Sequence, residues 1–459
     1  MIRADRSRLP AIGPVPDIRF PRIVKHTRAD GLRVWTVEHR EVPVVCFNVL
    51  FPAGSAADPA SRHGLAALTA DLLDEGTEEL DALGLHDALA RIGSQLDIDV
   101  GPDATTVGLV TLTKFARRGL EVLADVANRP RFDERDFQRV RDHRVSRLAQ
   151  LRDVPGAVAE RLFALRLYGE HPYGHTPLGS EAALAAISLD DARRFHAEVL
   201  LASEPTLIVV GDISHDEVVR FADELWPVRG GGTNSVPPTP EPASAGPSTI
   251  SLVHRAGAAQ SELRIGRVAA ARATPDYARL AVLNTALGGA FVSRINLRLR
   301  EEKGFTYGAR STFDYRRRRG PFVVQTSVQT DATAEAVDDI LAEIGGITTD
   351  RPITPLELAR AHAALTRGYA RNFETADQVA RAVAQIALHG LPDDYFDRFV
   401  SAVTQVTADE VTAVAREYLP LEDMQVVVVG DRDRVSAGLS GLGLGDPIEY
   451  AASLEPVGV

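Results

Sequence analysis

Apolar and polar positions recur along the chain with two periods, and the order of those periods repeats. TLIVVGDIS (Thr206 to Ser214) and MQVVVVGDRD (Met424 to Asp433) are continuous apolar runs ending at Gly-Asp, the pattern of a strand buried on both faces, and they lie about 219 positions apart. Just before them, ISLDDARRFHAEVL (Ile187 to Leu200) and VTADEVTAVAREYL (Val406 to Leu419) share a helical spacing. Ser188 and Thr407 stand where N-caps belong, with hydroxyls able to accept from the free amides of a first turn. Further back, ATTVGLVTLTKFARRGLEVLADVA (Ala104 to Ala127) and PFVVQTSVQTDATAEAVDDILAEI (Pro321 to Ile344) each run strand, turn, amphipathic helix. The repetition predicts an α+β chain of two homologous domains related by internal duplication. Each is expected to be a mainly antiparallel sheet with helices packed on one side.

Between the copies runs GGGTNSVPPTPEPASAGPS (Gly230 to Ser248), too poor in apolar residues to form a core, and it reads as a linker. The expected division is an N-terminal domain over 1–230, the linker over 231–248 and a C-terminal domain over 249–459.

Composition narrows the function classes. With 51 Lys and Arg against 63 Asp and Glu the net charge is −12, which argues against a general affinity for nucleic acid or anionic lipid. Cys46 is the only cysteine, so neither an internal disulfide nor a four-thiolate zinc site can form. It lies in the strand pattern VPVVCFNVLF and reads as a small buried apolar residue. The first twenty residues hold no apolar stretch of the length a secretory signal needs, and no run reaches the roughly eighteen apolar residues of a membrane span. A cytoplasmic protein without membrane association is expected.

Sequence motifs of independent catalysis are missing. There is no H-E-x-x-H, no H-x-x-E-H, no G-x-S-x-G and no G-x-x-x-x-G-K-[ST]. His171 and His175 stand four apart in HPYGHTPLG, but Pro172 and Gly174 oppose a helix there, so a structured loop competes with a metal pair.

FPAGSAADPASRHGLAALTADLLDEGT (Phe51 to Thr77) reads as a strand, a Gly-containing turn, a polar loop and a helix running to Gly76-Thr77. It resembles the opening of the pitrilysin/insulinase family of zinc peptidases, which includes the mitochondrial processing peptidases and their bacterial relatives. Members carry G-S-x-x-[DE] followed by G-[LT]-A-H-x-x-E-H-x-x-F-x-G-T. Aligned on Gly76-Thr77, the first metal histidine falls on Ala67, the catalytic glutamate on Ala70 and the second histidine on Asp71. The third ligand, a glutamate of a later helix, falls near Arg147. The resemblance therefore implies a degenerate metal site, with no metal in this chain and no catalytic residue at Ala67, Ala70, Asp71 or Arg147. Asp71, Asp74 and Glu75 remain as carboxylates and read as a solvated helix end. HPYGHTPLGSEAALAAIS (His171 to Ser188) resembles the family's H-P-Y-G-x-x-x-x-G segment.

GGAFVSRINLRLREEKGFTYGARSTFDYRRRRG (Gly288 to Gly320) resembles the family segment S-R-L-x-x-x-L-R-E-x-x-G-[LF]-x-Y. There an arginine and a tyrosine seven positions apart help to hold the substrate, and both are present here as Arg300 and Tyr307. A guanidinium can grip a peptide carbonyl or carboxylate, and a phenol can donate to an oxyanion. Without the resemblance, the same residues read as an Arg300–Glu301 ion pair and a half-buried aromatic opening a strand. The run Arg316 to Arg319 reads as a solvated turn between two strands, with a binding role as the alternative. Taken together, the resemblance implies the non-catalytic subunit of a heterodimeric metallopeptidase. Its partner would be a zinc-bearing paralogue and its substrate an unfolded or short peptide. The alternatives are a structural or assembly subunit without proteolysis and, less favoured, a hydrolase with an unfamiliar site.

Overall fold

The computed structural model describes residue 13, residues 19–228 and residues 238–457, and in it the strand patterns pair into two six-stranded sheets, one on each side of the stretch 230–248. The first contains β1 (Val24–Thr27), β2 (Arg33–Glu38), β3 (Val44–Phe51), β4 (Leu96–Val100), β5 (Thr105–Leu112) and β6 (Thr206–Gly211), in the order β1-β2-β6-β3-β5-β4. The second contains β7 (Thr249–His254), β8 (Gln260–Val268), β9 (Ala309–Phe313), β10 (Pro321–Gln329), β11 (Gln425–Gly430) and β12 (Ile448–Tyr450), in the order β12-β7-β11-β8-β10-β9. The two runs ending in Gly-Asp are β6 and β11, each flanked on both sides by other strands. Pairing is antiparallel except at β2–β6, β7–β11 and β7–β12. Apart from the outer strands β1 and β12, the sheets repeat one order, as the duplication predicts.

Alternation along the strands decides which core each side chain enters. On β3, Val45, Phe47, Val49 and Phe51 join the core built with helices of the same half, including Leu65–Leu73 and Ala116–Asn128. Cys46 and Leu50 point to the opposite face, with Ile208 and Val210 of β6. That face is covered from the other half of the chain. Val379, Ala380, Val383 and Ile386 of the helix Ala376–His389 pack on it. The exchange is mutual, since Val158, Leu162 and Phe163 of the helix Pro155–Tyr168 pack on Val253, Val427 and Val429 of the second sheet. Each half thus keeps its own helices on one side of its sheet, and the second side is closed by one helix from across the linker. Truncating one such buried Leu typically costs about 2–5 kcal/mol, so the exchange binds the halves strongly.

Local signals behave as the sequence indicates. Ser188 and Thr407 each form a capping box, with Asp191 and Glu410 respectively. Cys46 is buried, and burial pushes its thiol up to about 12. The run Tyr277–Glu302 is apolar enough in part to resemble a membrane span, but half of its most apolar window is buried and the helix is interrupted around Ala290 to Ser293.

The four arginines depart from the expected solvated turn. They do lie between β9 and β10, but Arg316 pairs with Asp314 at 2.8 Å and lies over the rings of Tyr173 and Tyr168, at 4.7 and 5.4 Å from their centroids. Arg317 donates its backbone amide to Asp103 at 2.7 Å, and Tyr173 donates its hydroxyl to the same carboxylate at 2.5 Å. Arg318 Nε donates to Thr239 O at 2.8 Å, while Arg319 holds Glu241 and Pro242 O. The run is a clasp on the first half and on the Pro-rich stretch. Polar groups spread far apart in sequence satisfy it, which local charge could not reveal. Residues 230–237 of the expected linker lie outside the described residues.

Candidate functional site

The helix Leu65–Leu73 starts at Gly64, which has φ +101° and no side chain to cap the first amides. Asp58 of the GSAAD turn does so instead, accepting from Gly64 N at 2.6 Å and Ala66 N at 2.7 Å. The loop of HPYGHTPLG locks onto this turn. His175 Nε2 is 3.1 Å from Asp58 Oδ2 and 3.0 Å from Ser55 O, and its ring stacks on His63 with centroids 3.9 Å apart. Burial, and then the neighbouring His175, lower the pKa of His63. Gly179, at φ +74°, permits the close approach, because a Cβ there would stand 2.1 Å from His63 O. His171 turns away, with Nε2 3.0 Å from Pro240 O. The two histidines are therefore parts of a structured loop and do not converge on one point.

This scaffold carries Ala67, Ala70 and Asp71 to an open cavity of about 400 Å³, and Arg147 lines the same cavity. Four positions drawn from two separate stretches of sequence are thus brought together. Ala67 and Ala70 are buried and offer only methyl groups. Asp71 accepts from Arg144 Nη1 at 2.6 Å, and Arg144 Nη2 donates to Pro177 O at 2.8 Å. Arg144 and Arg147 share one face of the helix Glu134–Leu151 by their three-residue spacing. Arg161, from the crossing helix Pro155–Tyr168, also lines the cavity. Burial first, and then the nearby Arg152, lower its pKa. Zinc needs neutral or anionic donors in tetrahedral array. Two methyls, a carboxylate already paired, a second carboxylate at the exposed rim (Glu160) and three guanidiniums do not fit it. Asp74 and Glu75 form no alternative, since Asp74 is 3.7 Å from His86 and Glu75 pairs with Arg139.

Arg144 and Arg161 are the residues that sequence reasoning missed. The available signal was Asp71 itself, because a carboxylate standing in a ligand position that receives no metal calls for a cation nearby.

Arg300 and Tyr307 do not line this cavity. Arg300 lies at the end of the helical run Leu297–Glu302, its side chain 30% exposed. Its guanidinium is 4.0 Å from the ring centroid of Phe291, which is itself 68% exposed. Arg300 Nη1 faces Glu301 Oε1 at 3.5 Å, so the Arg300–Glu301 ion pair of the alternative reading is present, though too long for a strong hydrogen bond. Gly304 turns the chain at φ +65°. Tyr307 lies two residues ahead of β9 and is 94% exposed, so the half-buried strand aromatic of the bland reading is not what forms. A guanidinium partly open to solvent and a phenol in solvent are groups with capacity to bind something else.

Among the described residues, His254, Asp431 and Asp433 bring ligand atoms within 4.8 Å of one another. Those atoms have structural work already: His254 Nδ1 accepts from Arg432 N at 3.1 Å, and Asp431 accepts from Gly257 N at 2.9 Å and Asp433 N at 3.2 Å.

Residues 33–179 match insulinase (peptidase family M16), and residues 186–365 match the peptidase M16 inactive domain. The chain belongs to the insulinase family of M16 peptidases, as its two sheets and the HPYG and Arg/Tyr segments indicate. An uncharacterised zinc protease of Mycobacterium leprae (strain TN) is 23% identical over 402 residues, covering 87% of this chain and 90% of that protein. A non-peptidase homolog of Helicobacter pylori (strain ATCC 700392 / 26695) is 20% identical over 401 residues, covering 86% and 91%. A solved structure from Pseudomonas fluorescens, described as a peptidase M16 inactive domain, superposes with a TM-score of 0.84 at 24% identity, covering 89% of this chain and 98% of that one. That likeness establishes the fold.

Proposed function

We propose that this chain is the non-catalytic subunit of a heterodimeric zinc metallopeptidase, binding and orienting an unfolded or short peptide for a zinc-bearing paralogue. The observation that carries the proposal is an asymmetry. The cavity at the positions aligned with the family's metal ligands is lined by an Arg144–Asp71 pair, whereas Arg300 reaches solvent with 30% of its side chain and Tyr307 stands in solvent. Decay of a whole enzyme would erode both. In this reading Arg300 grips a peptide carbonyl or carboxylate, Tyr307 donates to the substrate, and the zinc chemistry is the partner's. The chain alone has no catalytic residue.

The test is to purify the chain with and without the zinc-bearing paralogue, and to follow size, zinc content and peptide turnover together. The proposal requires a complex of the two chains that holds zinc only through the partner and turns peptide over faster than the partner alone. The second reading, an assembly role without proteolysis, is favoured by the non-peptidase designation of the Helicobacter pylori relative. It requires a complex with no gain in turnover.

A further inference from the structure

The lost metal site has not become an inert surface, and the side chains that fill it are short of counter-charge. Arg144, Arg147 and Arg161 face Asp71 and Glu160 around one cavity, three cations against two carboxylates. Asp71 is already engaged by Arg144, and Glu160 is exposed at the rim. Neither Arg147 nor Arg161 has an ion pair or hydrogen bond among the described residues. Beside them two donors are buried and unsatisfied, the Nε of Arg144 and the hydroxyl of Thr176. Exposed Arg147 and half-buried Arg161, unpartnered on the rim and wall of one open cavity, indicate where an acceptor goes. The walls limit which acceptor. Ile98 and Val100, from β4 at the edge of the first sheet, and Leu178 give the cavity apolar sides, while Ala67 and Ala70 leave room where longer side chains would project. A small hydrated ion gains nothing from such walls, but the chain that carries a carboxylate does.

We propose that the degenerate metal cavity of this chain is a binding site for a peptide carboxylate, held by Arg147 and Arg161 with the charge of Arg144 behind them. Guanidinium forks match a planar carboxylate through paired N–H donors, and the low exposure of Arg144, 11% at its side chain, keeps part of the site out of bulk water. The carboxylate comes from a peptide C-terminus or from an Asp or Glu side chain. The substitutions at Ala67, Ala70, Asp71 and Arg147 thereby replace a metal that polarises a peptide bond with cations that hold a peptide end or side chain.

The site belongs to this chain alone, so its test needs no partner. Fluorescence anisotropy would follow four probes: a labelled apolar peptide with a free C-terminus, its C-terminal amide, the amide carrying one internal Glu, and inorganic phosphate as competitor. The proposal predicts that at least one carboxylate-bearing peptide binds ~10-fold or more tightly than the uncharged amide, a difference of about 1.4 kcal/mol. Which of the two binds identifies the source of the carboxylate. Arg147→Gln and Arg161→Gln should each weaken that binding by ~10-fold, with the thermal melt of Arg147→Gln unchanged. Equal binding of acid and amide, indifference to Arg147→Gln, or saturation by phosphate while neither carboxylate peptide binds would each overturn it. Dependence on Arg300 and Tyr307 instead of Arg147 would remove this inference while leaving the subunit proposal standing.

Discussion

The two halves of this chain share a strand order, a capped helix before the central strand and an exchanged helix, yet they hold their polar groups differently. In the first half, Asp71 and Arg144 are joined to each other, and the loop His171 to Gly179 is tied to Asp58 and His63. In the second, Arg300 has only a long ion pair with Glu301 and Tyr307 stands in solvent. One duplicated scaffold can therefore keep its packing while its functional positions diverge. The core residues answer to each other across the exchange, and the exposed ones answer only to a ligand or partner.

The comparison breaks most visibly if the exchange is removed. Val383→Asp would bury an uncompensated carboxylate between the first sheet and its crossing helix, and a loss of ~5 kcal/mol or more is expected in chemical denaturation. Residues 249–459 expressed alone lack the helix Pro155–Tyr168 and should give no cooperative transition. A cooperatively folded fragment would show that the halves are independent. Next comes the clasp: Arg316→Ala removes two ring contacts and an ion pair whose Asp314 end reaches solvent, with an expected cost of about 1–2 kcal/mol and earlier proteolysis in the Pro-rich stretch. An unchanged melting temperature would reduce the clasp to decoration.

Rebuilding the first half sharpens the contrast. Ala67→His, Ala70→Glu, Asp71→His and Arg147→Glu restore the ligand types but strand Arg144 beside them. Zinc affinity should rise by at least ~100-fold when Arg144→Ala is added, because a buried guanidinium repels a dication. Equal affinities with and without Arg144 would mean that it does not guard the site. A smaller effect concerns pH. Burial, then Arg272 and Arg317, lower His389 to about 4, so its neutral form belongs to the folded state. The associated stability is complete above the ordinary histidine pKa near 6.5 and is lost as pH falls from there towards about 4, amounting to roughly 3 kcal/mol. His389→Asn should flatten this part of the stability profile, and an unaltered profile would assign the acid loss to other groups.

Much of this was legible in the chain itself. The Gly-Asp strands and the caps at Ser188 and Thr407 lie in local patterns, so the duplication could be read directly, whereas the altered ligand positions follow only from the family resemblance anchored on Gly76-Thr77. The exchanged helices could not, although PGAVAERLFALRLY is apolar around most of its circumference and so suits burial on more than one side. Nothing local shows which sheet receives it. The arginine run was misread for the same reason: its partners Asp103, Tyr168, Tyr173 and Thr239 are distant in sequence. Arg144 became visible only with Asp71 beside it.

The division of labour between subunits is tested most directly by peptide turnover in the complex with the zinc-bearing paralogue. Arg300→Ala combined with Tyr307→Phe should leave folding stability within about 0.5 kcal/mol, since both side chains reach solvent, while lowering kcat/KM by ~100-fold or more. Turnover equal to that of the unaltered complex, with zinc content and assembly unchanged, would contradict the account.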